Sequence, residues 1–161
     1  MLTTLGLVAA LSSMRTPGTA MPAGTLPSLR GPSTSLRAPA GRPSVVVIFA
    51  DWCDPCHADM PSIVASSERN PSVRFLGIDE LESVARARAF VAATGVPFET
   101  VLLTNDAFSK PDVTDDRRAA TGLDIPAVYV LDGRGVVVKA FVGPDPHVGA
   151  KIDAAVRALA L

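Results

Sequence analysis

Cysteine is almost absent from this chain of 161 residues: only Cys53 and Cys56 occur, three apart. A small scaffold stapled by disulfides needs more than one pair, so these two read as chemistry rather than framework. Histidine is as scarce, with His57 and His147 alone. Two cysteines and one histidine on a single helical turn do not complete a tetrahedral zinc set, and no metal is expected. Excess charge of one sign is also missing. The net charge of −1 gives no electrostatic case for nucleic acid or an anionic membrane surface as partner. No apolar run approaches the ~20 residues of a membrane-spanning helix. Trp52 is the sole tryptophan, so its fluorescence reports on one place.

What is present suits one domain with a tail. The chain is 48% hydrophobic and 19% charged, enough apolar material for a core and too much for a disordered chain. Residues 1–43 contain Arg15, Arg30, Arg37 and Arg42 and no acid. They are rich in Pro, Gly, Ser and Thr and read as leader and linker. The division expected is residues 1–30 as leader or linker and 31–161 as the folded domain. Leu2 to Leu11 is mildly apolar and reads as the h-region of an export signal, with Gly18 and Ala20 as small residues before a cleavage point, although no Lys or Arg precedes the run. An extracytoplasmic location is expected, with membrane association only through this segment.

Ser44 to Ala50 is a continuous β-branched run, as in a strand covered on both faces. Asp54 and Pro55 open a helix expected to reach about Arg69, with a kink at Pro61. Val73–Asp79 reads as a strand, Leu81–Thr94 as a helix stopped by Gly95, and Thr100–Leu103 as a strand. A polar loop over 105–113 and a short helix over Val113–Thr121 follow. Pro126–Leu131 and Val136–Val142 flank Asp132-Gly133-Arg134-Gly135, a hairpin signal. Pro146–Leu161 carries apolar residues at helical spacing. The fold class is therefore α/β, with a mixed central sheet flanked by helices and closed by a C-terminal β-hairpin plus helix.

The strand ends in Ala50-Asp51-Trp52-Cys53-Asp54-Pro55-Cys56-His57. This puts Cys53 at a helix N-terminus, where free N–H groups and the helix dipole favour an anion. Thiolate is the nucleophile of disulfide exchange. Cys56 lies one turn on, placed to attack a mixed disulfide on Cys53. Cys53 is thus the expected attacking thiol, the more N-terminal and more exposed of the pair, and Cys56 the resolving one. Asp51, Asp54 and Asp59 surround the pair, and no Lys or Arg lies within the motif. Nearby negative charge disfavours thiolate, so reduction is favoured over oxidation.

Phe49-Ala50-Asp51-Trp52-Cys53-Asp54-Pro55-Cys56 resembles the active-site segment of thioredoxins, and Ile125-Pro126 resembles their cis-proline loop. Asp59-Met60-Pro61, the helix–strand insertion around 80–104 and the segment Ala127–Gly135 are similar to the TlpA/ResA-like branch. The resemblance covers about residues 34–161. It implies a thioredoxin fold and reduction of disulfides in exported proteins, cytochrome c maturation among the tasks. It also implies a cis Pro126 beside the cysteines, with Ile125 offering backbone to an added substrate strand. Two departures stand out. Val47 occupies the place of the buried thioredoxin Asp, and Asp59 the place where this branch tends to carry Glu; a carboxylate there takes the proton of Cys56. No cofactor beyond the Cys53–Cys56 pair is implied. The partners are protein disulfide or dithiol substrates and an upstream electron donor, and a monomer is expected.

Three other readings stand beside this one. A thiol oxidase would use the same fold, and a redox-inert binding module would use only its strand pairing. Cys53-Asp54-Pro55-Cys56-His57 also matches the C-x-x-C-H pattern of haem attachment, although Met60 is too near His57 to reach the opposite haem face. Of the remaining residues, Trp52 is expected to shield the site, Pro55 to restrict the loop, and Gly143 to admit a substrate chain.

Overall fold

The structure is a computed structural model and describes residues 4–80, 83–103 and 123–159. Its centre is a five-stranded sheet built around β3 (Ser44–Phe49), every residue of which is buried. The parallel neighbour of β3 is β4 (Arg74–Glu80), which in turn pairs in parallel with β5 (Glu99–Leu103). On the other side β6 (Ala127–Leu131) runs antiparallel to β3, and β7 (Val137–Val142) antiparallel to β6. The order is β5-β4-β3-β6-β7, the mixed sheet expected. A strand of six consecutive apolar or small residues fits only where both faces are covered, which is why β3 lies in the middle.

Helix α2 (Asp54–Arg69) leaves the carboxyl end of β3, α3 (Val84–Thr94) connects β4 to β5, and α4 (Val148–Arg157) closes the chain. α2 continues without a break through Pro61, which is exposed. Gly95 ends α3 at φ 70°, the left-handed conformation that glycine adopts without steric cost. The short helix expected over 113–121 lies outside the described residues.

α4 packs on α2 at unusually close range. A Cβ added at Gly149 would collide with the Ser62 carbonyl, and the Gly149 N–H instead donates to Ser62 Oγ at 3.2 Å. One turn further on, Asp153 accepts from Ser66 Oγ at 2.7 Å, Asn70 Nδ2 at 2.8 Å and Arg69 Nε at 2.9 Å.

The leader and linker expected over residues 1–30 do not match the contacts found there. In α1 (Thr4–Ser13), Leu7 and Leu11 are buried in the core, and Met14 and Met21 after it are buried too. Gly18 N–H donates to the Val137 carbonyl and Val137 N–H returns a bond to Thr19, at 2.8 and 2.9 Å. Leu102 N–H donates to Pro27 at 2.8 Å, and Leu29 N–H to Thr100 at 3.0 Å. The same segment therefore touches both edge strands, whose open N–H and C=O groups would otherwise template aggregation. It then forms a small hairpin of β1 (Thr25–Leu26) and β2 (Thr34–Ser35). Composition disguised this role, because isolated bridges of one or two bonds need no periodic pattern. Leu11→Ala is expected to destabilise the full chain by about 2–5 kcal/mol in chemical denaturation. An unchanged transition midpoint would show that α1 does not pack on the core.

Candidate active site

The chemistry begins where β3 stops. The first turn of α2 presents backbone N–H groups without partners inside the helix, and Cys53 is its N-cap, with an extended backbone and Sγ accepting from the Cys56 N–H at 3.3 Å. Pro55 in the first turn lacks the N–H that would be unsatisfied there. Cys53 and Cys56 are joined in a disulfide, with Cα atoms 5.3 Å apart. Both are 1% exposed. Cys53 is thus not the more exposed sulfur in the oxidised state. What separates the two is position: Cys53 caps the helix, and Cys56 lies inside it.

Asp59 is buried, 2% exposed, on the same face of α2 one turn beyond Cys56. Its Oδ2 accepts the Asp145 N–H at 2.8 Å, while Oδ1 has no hydrogen-bond partner among the described residues. Burial pushes the Asp59 carboxyl above its ordinary pKa; the Asp145 N–H opposes this and the Asp145 charge adds to it. Asp145 itself is held below the ordinary carboxylate range, first by Lys151 at 2.5 Å and then by the His147 N–H. The segment entering α4 thus covers Asp59, and the close approach at Gly149 brings that segment in. The spacing of the sequence could not show this.

Asp51 and His57 form a second group. His57 Nε2 lies 2.8 Å from the Asp51 carbonyl and 3.5 Å from its carboxylate, and the imidazole packs on Phe90 with ring centres 4.5 Å apart. Arg86 of α3 reaches Asp51 Oδ2 with Nε at 3.3 Å. Of the three carboxylates expected around the cysteines, Asp51 is therefore paired with a cation, although no Lys or Arg lies within the motif itself. A cation comes from another element, and nothing in the motif signals it. The haem reading needs His57 Nε2 for iron, but this atom is turned onto Asp51 and the two sulfurs are bonded to each other.

Ile125-Pro126 is cis. The register pairs Ile48 with Ala127, so Pro126 lies one step on, level with Phe49 at the end of β3 that feeds the cysteines. The Gly143 N–H donates to the Pro126 carbonyl at 2.9 Å. Gly143 has φ 96° and open space where a Cβ would stand, so backbone conformation demands glycine there. Trp52 and Pro55 flank the disulfide, both half-buried. Val47 lies between Gly77 and Val128 in the sheet, leaving no carboxylate at that place. The carboxyl end of β4 instead carries buried Asp79 and Glu80, Asp79 in register with Phe49. Both fall in an ordinary strand pattern, so the sequence does not single them out.

A mixed sheet of this order, a cysteine pair at the mouth of the helix after the central strand and a cis-proline across from it define the thioredoxin fold with its dithiol–disulfide site. The family model for Redoxin matches residues 16–159, and the chain belongs to that family. It is 24% identical over 108 residues to the thiol:disulfide interchange protein DsbE of Haemophilus influenzae, covering 64% of this chain and 52% of that protein. It is 33% identical over 67 residues to the soluble secreted antigen MPT53 of Mycobacterium tuberculosis, covering 42% and 37%. The chain spans about half or less of the length of the curated relatives it matches. Among solved structures, a secreted disulfide oxidoreductase of M. tuberculosis homologous to E. coli DsbE superposes with a TM-score of 0.67 at 20% identity, over 84% of this chain and 95% of that one.

The burial of Asp59 has a measurable consequence. A carboxyl whose folded-state pKa lies above its unfolded value of about 3.9 favours folding only while protonated. Its contribution is present below the unfolded value and is lost as pH rises through the folded one. Asp59→Asn is therefore expected to raise the thermal midpoint at pH 7 by a few degrees, with the gain shrinking towards acid pH. A midpoint difference independent of pH would show that the carboxylate is not desolvated.

Proposed function

We propose that this protein is a thiol–disulfide oxidoreductase that reduces disulfides in exported proteins. The observation that carries the reading is the Cys53–Cys56 disulfide at the N-terminus of α2, with Cys53 as the cap. In the reduced state the cap position exposes Cys53 Sγ to the positive end of the helix dipole and to a backbone N–H, both of which favour thiolate. The thiolate attacks one sulfur of a substrate disulfide, the other substrate sulfur leaves as thiolate, and a mixed disulfide forms. Cys56 then attacks Cys53 Sγ, which releases the second substrate thiol and restores the internal disulfide. An upstream dithiol donor returns the two electrons.

Asp59 serves as the proton acceptor of Cys56. It is buried on the same helix face, burial raises its pKa, and its Oδ1 has no hydrogen-bond partner among the described residues. Pro126 and Ile125 present the backbone against which a substrate chain lies, Gly143 leaves room beside them, and Trp52 and Pro55 form the rim. The reductase direction is favoured by Asp54 and by the buried Asp59, both of which disfavour thiolate nearby. The export assignment draws on the relatives described as secreted. No helix among the described residues is long and apolar enough to cross a membrane. The folded unit is taken to begin with α1.

Three variants test the roles. Cys53→Ala is expected to abolish reduction of a disulfide substrate, and Cys56→Ala to accumulate mixed disulfides separable on non-reducing gels. Full turnover by Cys53→Ala would overturn the assignment. Asp59→Asn is expected to slow exchange about tenfold or more near neutral pH and to remove one inflection from the pH–rate profile. An unaltered profile would take Asp59 out of the mechanism. A redox titration followed by Trp52 fluorescence fixes the direction: a potential near about −270 mV, that of thioredoxin, supports a reductase, whereas one near about −120 mV would make it an oxidase.

A further inference from the structure

The end of the sheet away from the cysteines carries a concentration of cationic groups that disulfide exchange does not use. Arg37 follows β2, Arg42 lies in the turn before β3, and Arg74 is the first residue of β4. Ser44 and Arg74 are register partners, so the three arginines gather where β3 and β4 begin, a strand length from the disulfide. They line one cleft of about 650 Å³ together with Thr34 and Ser35. Arg42 and Arg74 also line an adjoining cleft of about 270 Å³.

The hydrogen bonds of these guanidiniums run to backbone carbonyls. Arg37 Nε donates to Met21 at 2.8 Å, Arg42 Nε to Ser72 at 3.4 Å, and Arg74 to Leu36 and Ser35 at 3.1 and 2.6 Å. None forms an ion pair with a carboxylate among the described residues. Arg37 and Arg42 are held through Nε alone, which leaves their Nη forks for other acceptors. Glu99 lines the smaller cleft, but its Oε1 accepts from the Ser28 and Thr34 hydroxyls. Arg74 is half-buried, and burial together with the like charge of Arg42 holds its guanidinium below its ordinary pKa, against a weaker opposing pull from Glu99. A desolvated cation beside a second cation is electrostatically unfavourable unless an anion joins them.

We propose that this cleft binds a phosphate-bearing anion through Arg37, Arg42 and Arg74. Guanidinium forks match the paired oxygens of phosphate, three of them balance two or three negative charges, and the volume falls within the usual range for small-ligand sites. The backbone bonds already fix the stems of all three side chains, so little side-chain entropy is lost on binding. The source of the phosphate is either a free small molecule or a lipid headgroup at a membrane surface, and both present the same oxygens.

The test is isothermal titration of the oxidised full chain with pyrophosphate at low ionic strength, beside a flotation assay with vesicles of phosphatidylcholine and phosphatidylglycerol. The comparison variant is Arg37→Gln/Arg42→Gln, whose side chains are exposed and whose redox titration should match the wild type. Stoichiometric pyrophosphate binding that weakens at least tenfold in the variant and with added salt supports a free anion. Vesicle binding that the variant loses, without a pyrophosphate signal, supports a headgroup. No binding of either probe, or binding equal in wild type and variant, would overturn the site.

Discussion

The unsatisfied first turn of α2 is the constraint on which the rest of the structure depends. A helix that starts where a buried central strand ends must find partners for its leading N–H groups, and Cys53 supplies a sulfur. The same donors that need an acceptor in the folded chain favour the anionic form of that sulfur when the disulfide opens. With Cys53 as the proposed nucleophile, capping and activation are one interaction. Its position is held because β3 is paired on both sides and buried on both faces, so the end of Phe49 cannot move without disturbing β4 and β6 together.

The second cysteine depends on a different contact. Cys56 and Asp59 share a face of α2, but Asp59 becomes a buried carboxyl only because α4 and its entry segment close over it. That closure rests on the absence of a side chain at Gly149 and on the three donors gathered by Asp153. A residue far from the cysteines in sequence thus sets the environment of Asp59, the proposed proton acceptor. Arg86 does something similar from α3, placing a cation on Asp51 two residues before Cys53.

The two ends of the sheet are chemically distinct. The carboxyl end of β3 carries sulfur, buried carboxyls and a cis-proline. The amino end carries three arginines held by carbonyl groups. Between them runs the N-terminal segment, which binds both edge strands and buries Leu11, Met14 and Met21 in the core. It links the stability of the sheet to the placement of the arginines, since Arg37 is anchored on Met21 and Arg74 on the β2 backbone.

Local periodicity and turn chemistry were sufficient for the alternation of strands and helices, the hairpin at Asp132–Gly135 and the stop at Gly95. The reason is that a buried strand, an amphipathic helix and a left-handed cap each leave a mark within a few neighbouring residues. The cysteine pair was legible for the same reason, its spacing and its place before a helix being local facts. Tertiary structure alone decided the rest. The Pro- and Gly-rich N-terminal segment carries no repeating pattern, yet single bridges and scattered apolar side chains suffice to bind it to the sheet. The burial of Asp59, the Arg86 cation on Asp51 and the meeting of Arg37, Arg42 and Arg74 all join residues from separate elements. Desolvation and charge pairing depend on distance in space, and distance along the chain does not report it.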